Sequence, residues 1–131
     1  RKVNEFLWES SSPDIFLAWL LDQAACDLLF VTHTGIPWMR ELEDGRLVVN
    51  VGAIGRPANN GRTSVDYAML TLSDANTPHV ELLDLPYDHQ ALASEMRQES
   101  LPEEFVETIL TGWWTTCLEI LPAKERLLGR Y

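Results

Sequence analysis

A lone histidine, His33, follows the apolar run Leu28-Leu29-Phe30-Val31 and sits in the polar loop Thr32-His33-Thr34-Gly35-Ile36-Pro37. An apolar strand that runs into a polar loop is a common way to present a chemical side chain, because packing fixes the strand and the loop meets solvent. An imidazole there can bind a transition metal or move a proton near neutral pH. Taken alone, His33 reads as a loop histidine bonded to backbone or water. The other two histidines are placed less suggestively. His79 follows Pro78 in what reads as a turn, and His89 sits beside Asp88 at a predicted helix start, so both are expected at the surface. Glycines in Val51-Gly52-Ala53-Ile54-Gly55-Arg56-Pro57 would let backbone amides approach an anion. No lysine with Ser/Thr follows at the spacing of a nucleotide loop, so the block is read as a bend after a strand. No residue is assigned as catalytic or cofactor-binding.

The elements that would position these groups follow from apolar spacing. Residues Pro13 to Cys26 carry Ile15, Leu17, Ala18, Leu20, Leu21, Ala24 and Ala25 behind Ser12 as N-cap and Pro13 in the first turn, which predicts an amphipathic helix. Leu28 to Val31 is wholly apolar and predicts a central strand buried on both faces. Trp38 to Glu41 and Arg46 to Val51 flank Glu43-Asp44-Gly45, where Asp-Gly supplies the positive φ angles of a tight hairpin, so these strands are expected to pair antiparallel. Ala58 to Thr63 is a run of turn formers too polar to pack. Val65 to Leu72 and Val80 to Leu85 read as two more strands joined through Ser73 to Pro78, and Gln90 to Gln98 as a short helix. A further helix starts at Leu101-Pro102-Glu103-Glu104, with acids in its first turn and Phe105, Val106, Ile109 and Leu110 on one side. Trp113 and Trp114 are expected to pack a last helix against the sheet, with an interface anchor as the alternative. Helix, mostly antiparallel strands, then helices argue α+β or layered α/β.

At 131 residues and 14.9 kDa the chain fits one unit, residues 1–131. A net charge of −10 disfavours nucleic acid and anionic membranes as partners. Cys26 and Cys117 form neither a metal pair nor a disulfide framework, which fits a reducing compartment and a cytoplasmic location. No apolar run reaches the roughly 20 residues of a membrane helix. Arg1, where a translated chain would carry Met, points to a cut end.

The His33 loop and the glycine block together resemble the last motif block of calcineurin-like metallophosphoesterases, which reads Gly-His-x-His-x-Pro, a hairpin, then Val-Asn-Pro-Gly-Ser-x-Gly. Thr32 stands where the family has glycine, His33 matches the first metal histidine, Gly35 stands where the second belongs, and Ala53 replaces serine. Asn4-Glu5-Phe6-Leu7-Trp8 resembles the segment just after the family's isolated metal histidine. Leu85-Pro86-Tyr87-Asp88 and Leu101-Pro102-Glu103 look like the C-terminal portion of bacterial and archaeal single-domain members. The resemblance spans about Val3 to Gly112.

It implies the C-terminal half of a four-layer α/β/β/α sandwich: one mainly antiparallel sheet with flanking helices, its partner sheet encoded before Arg1. It also implies hydrolysis of phosphate mono- or diesters by water activated between two divalent metals, Mn, Zn, Fe or Ni, with His33 as a metal ligand and Asn50 and Gly52 as scaffold. The family's other ligand motifs are not in this chain, so it is expected to be inactive in isolation. The alternative is a catalytically silent module of the same fold acting through an apolar or tryptophan-rich surface. Implied partners are a phosphate-ester small molecule or nucleotide. Self-association or a missing N-terminal segment is expected to cover the apolar sheet face.

Overall fold

A computed structural model of the chain describes residues 5–72 and 78–127. Arg1, Asn4, most of the Ser73-to-Pro78 connection and Arg130 lie outside the described residues.

The first helix, α1, is Asp14–Ala24. Its N-cap is Pro13 rather than Ser12: the extended Pro13 turns its carbonyl to the amides of Phe16 and Leu17, at 2.9 and 3.1 Å, and no side chain caps the end. At the other end Ala25 is left-handed, and the bonds Ala25 N to Asp22 O and Cys26 N to Leu21 O close the helix in a Schellman arrangement. Leu17 and Leu21 are fully buried against Trp38, Leu42 and Val48, while Ile15 faces solvent.

That packing puts α1 on one face of a three-stranded sheet made of β1, Leu28–Val31, β2, Trp38–Glu41, and β3, Leu47–Asn50. The order is β1-β3-β2, with β3 parallel to β1 and antiparallel to β2. The expected antiparallel hairpin therefore forms, but the expected central strand is an edge among the described strands. Val48, Val49 and Asn50 of β3 are the fully buried residues, whereas Phe30 of β1 is 38% exposed. A four-residue apolar run marks a strand, but tells neither burial on both faces nor centre from edge. The hairpin closes through Leu42 N to Arg46 O and Gly45 N to Leu42 O, at 2.8 and 2.9 Å. Of Asp44 and Gly45 only the glycine has positive φ, so this is a three-residue loop with one left-handed residue, where positive φ was expected from the Asp-Gly pair. On the face away from α1, Phe30 and Met39 flank Val49 in one cross-strand row and remain exposed.

Strands β4, Val65–Leu72, and β5, Pro78–Leu85, form a separate antiparallel ladder, so the described strands make two sheets rather than one. His79 belongs to β5, not to a turn. Helices α2, His89–Gln98, and α3, Glu103–Thr111, pack on each other through Ala93, Val106 and Ile109. Asp88 caps α2 by accepting from Ala91 N at 2.9 Å. After Gly112 the chain is irregular, so Trp113 and Trp114 do not ride on a last helix. That helix, α4, comes later at Ala123–Leu127. Trp114 and Leu121 join Trp8 in a buried cluster, and Ser10 donates to the buried carboxylate of Glu125, its amide at 3.1 Å. The two ends of the described chain thus meet. Among the described residues no helix is long and apolar enough to cross a membrane.

The start of the polar tract after residue 57, Ala58 and Asn59, packs against expectation, while Asn60 to Arg62 stay exposed. Asn59 is buried because its side-chain oxygen accepts from Trp114 N at 2.8 Å, replacing a hydrogen bond that water would otherwise supply.

A pH effect arises in the β4–β5 ladder. Asp66, 8% exposed, lies directly opposite Asp84, with Arg62 near both at 3.9 and 3.6 Å. Burial raises the Asp66 pKa, Asp84 adds to the rise and Arg62 opposes it. A carboxyl whose folded pKa lies above its unfolded value costs stability once ionised. The penalty is absent below the unfolded value of about 4 and fully present above the folded one. Asp66→Asn should therefore raise the urea midpoint at neutral pH, with the gain disappearing below about pH 4. A lower midpoint at neutral pH would show that the Arg62 pairing outweighs burial.

Candidate functional site

The loop from Thr32 to Pro37 joins β1 to β2 and is pinned from beneath. Asn50, fully buried at the end of β3, donates through Nδ2 to Thr34 Oγ1 at 2.7 Å and accepts through Oδ1 from Gly52 N at 3.1 Å. Thr32 Oγ1 donates to Gly52 O at 2.6 Å. One buried amide side chain thereby locks the histidine loop to the turn after the central strand, in a place where an unpaired polar group would cost about 1–3 kcal/mol. This is the scaffold role expected of Asn50 and Gly52. It also takes Gly52 out of any anion cradle, since its amide is already bonded and a side chain at 52 would meet Asp66 Cβ at 3.1 Å.

His33 stands on top of this clamp. Its φ is +81°, a left-handed conformation that costs a non-glycine residue about 1–2 kcal/mol. The ring is exposed and stacks on Phe6, centroids 5.1 Å apart and planes within 4°. Beside it lies a cleft of about 200 Å³ lined by Glu5, Leu7, Leu20, Leu29, Val31 and Thr32. A strained backbone held by buried hydrogen bonds and an imidazole stacked on an aromatic face make a positioned, accessible imidazole. Phe6 went unnoticed as a site residue in the sequence, although it lies in the segment that carries part of the resemblance.

The position of the second family histidine is different. Gly35 has φ +72°, and a Cβ there would stand 3.3 Å from Trp114 Cζ2 and 3.9 Å from Ala53 Cβ. Trp114 is held in that place: it is 4% exposed, its Nε1 donates to Pro57 O at 2.6 Å, and the Arg56 guanidinium lies 3.7 Å over its ring. A histidine at 35 would need both a left-handed backbone and a displaced tryptophan. The departure from the motif thus has a structural counterpart that only the three-dimensional pairing of Gly35 with Trp114 reveals.

The other histidines are not brought to this loop's hydrogen-bond network. His79 is exposed on β5, and His89 is half-buried, edge-on to Tyr87 at 6.3 Å. Cys26 and Cys117 are unpaired. Among the described residues no group of three or more His, Cys, Asp or Glu side chains could hold a metal ion. One imidazole falls short of the three protein ligands that a catalytic zinc-type site takes, so the described residues alone do not fit the metal centre implied by the resemblance.

This architecture is similar to a crystal structure of metallophosphoesterase from Sphaerobacter thermophilus, with a TM-score of 0.61 and 21% identity over 85% of this chain. The likeness is one of fold. It makes the mixed α+β arrangement, small sheets with flanking helices, consistent with part of a metallophosphoesterase sandwich. The matched region covers 53% of that protein, so the chain spans about half its length. No protein-family model and no curated protein matches the chain.

Proposed function

We propose that this chain supplies the C-terminal part of a metal-dependent phosphoesterase domain, with His33 as one ligand of a divalent-metal centre whose other ligands come from outside the described residues. The observation that carries this reading is the exposed His33 imidazole, left-handed and clamped through Thr34, Asn50 and Gly52, within a fold similar to a metallophosphoesterase. The chain's own contribution is positional: it holds one imidazole still and stacks it on Phe6. No step of a hydrolytic reaction is assigned to it. The substrate class is a phosphate mono- or diester, a small molecule or nucleotide, and the working compartment is the cytoplasm. The exposed Phe30 and Met39 row is covered either by an N-terminal segment of the same domain or by a second copy.

The test uses the polypeptide made from its own gene, with its metal content and its hydrolysis of a chromogenic phosphodiester measured with and without His33→Ala. Loss of a metal ligand should cut activity by about 100-fold or more and lower the bound metal, since even outer-shell changes cost about 10–100-fold. Unchanged metal content and activity in His33→Ala would sink the proposal.

One observation favours a second reading, a silent module of the same fold: Trp114 stands where a side chain at position 35 would go. That reading expects neither Mn nor Zn in the natural polypeptide, and stoichiometric metal in it would rule it out.

A further inference from the structure

We propose that the cleft between the turn after β3 and helices α2 and α3 binds a small organic monocarboxylate, its head on the Arg56 guanidinium and its apolar body against Met96, Phe105 and Ile109. The cleft encloses about 260 Å³ and is lined by Gly55, Arg56, Met96, Phe105, Thr108 and Ile109. None of these belongs to the His33 loop, and the inference does not rest on the phosphoesterase reading.

Arg56 carries the argument. In a chain of net charge −10, Arg40, Arg46, Arg62 and Arg97 each sit against a carboxylate. Among the described residues Arg56 has none, although it is half-buried. Its guanidinium face covers the Trp114 ring at 3.7 Å, and one terminal nitrogen donates to Thr116 O at 3.2 Å. Stacking occupies the face of the guanidinium plane, and Thr116 O and Cys117 take part of its edge, so a carboxylate in the cleft would meet the N–H groups that remain. Burial lowers the Arg56 pKa, and the neighbouring Cys117 opposes the shift.

The rest of the lining sets the ligand's other end. Thr108 Oγ1 is already bonded to Glu104 O and lies 3.2 Å from Thr115 Oγ1, so its hydroxyl is occupied. Met96 and Ile109 extend the α2–α3 core to the cleft wall, and Phe105 is 47% exposed beside them, an aromatic face with no cover. A cleft slightly below the usual range of about 300–1,000 Å³ takes a small acid rather than a nucleotide. The acidic surface repels anions in general, so selectivity rests on this one cation and the apolar wall.

Hexanoate is the probe and hexan-1-ol its neutral counterpart, both titrated against the chain by methyl NMR of Met96 and Ile109 and by tryptophan fluorescence. Hexanoate should give saturable shifts with a Kd of about a millimolar, and hexanol should bind at least about tenfold more weakly, a difference worth one charge-assisted contact. Arg56→Met should erase the preference for the acid. Phe105→Ala, a change at an exposed position that leaves the fold intact, should weaken hexanoate several-fold even if Arg56→Met fails to fold. Absence of saturation, equal binding of acid and alcohol, or undiminished hexanoate binding in either folded variant would overturn the assignment.

Discussion

Gly112→Ala is expected to abolish cooperative folding. Gly112 follows α3 in the left-handed conformation, and its amide closes the helix on Thr108 O at 2.9 Å. A Cβ at this position would stand 2.2 Å from Arg62 O and 2.6 Å from Arg62 C and N, all backbone atoms. The backbone strain alone costs about 1–2 kcal/mol. The clash must then be relieved by moving the strand-leading segment at Arg62, which Gly61 N binds to Gly112 O at 3.2 Å. Gly45→Ala is the control. It has nearly the same positive φ, 82°, but nothing lies near its missing side chain, so it should cost only about 1 kcal/mol. Urea denaturation of the two variants separates strain from collision. A Gly112→Ala midpoint close to that of Gly45→Ala would show that the Arg62 segment yields easily.

The second large effect is expected at Trp114. Trp114→Ala empties a site where the ring packs with Trp8 and Leu121, lies under Arg56 and closes over Gly35. Burying an indole and then deleting it costs about 3–5 kcal/mol, and here Pro57 O also loses the donor it has at 2.6 Å. A loss of that size lowers the melting temperature by roughly 10–20 °C for a chain of this length. Trp114→Phe should fall between, because it keeps most of the apolar contact and orphans one buried carbonyl at about 1–3 kcal/mol. Thermal melts of the three proteins give the order directly, and a Trp114→Ala loss under about 1 kcal/mol would contradict the packing described here.

Much of the architecture was legible in the residues, and for identifiable reasons. Leu17 and Leu21 follow helical spacing, Val65 to Leu72 is a strand bounded by turn formers, and Asp88 caps the helix that begins beside it. These are local signals, set by backbone propensity within a few residues. What stayed hidden depends on partners far along the chain. Whether β1 is centre or edge depends on what lies beyond it, and the burial of Asn59 depends on the amide of Trp114. At the candidate site, His33 was legible as a presented loop histidine, and Asn50 and Gly52 as support for its loop. The left-handed backbone of His33, its stack on Phe6 and the tryptophan beside Gly35 were not, because each is a product of tertiary packing.

The meeting of Ser10 with Glu125, and of Trp8 with Trp114 and Leu121, also has a kinetic meaning. Contacts between residues far apart in sequence carry the largest loop-closure entropy and delay folding. As the chain leaves a ribosome, α1 and the β2–β3 hairpin can form early from nearby residues. The platform under Trp8 must wait for residue 121, and the Glu125 clamp for the last described turn. Until then the tryptophan that closes over Gly35 lacks the cover of Leu121, so the His33 loop reaches its final setting only after that residue has emerged.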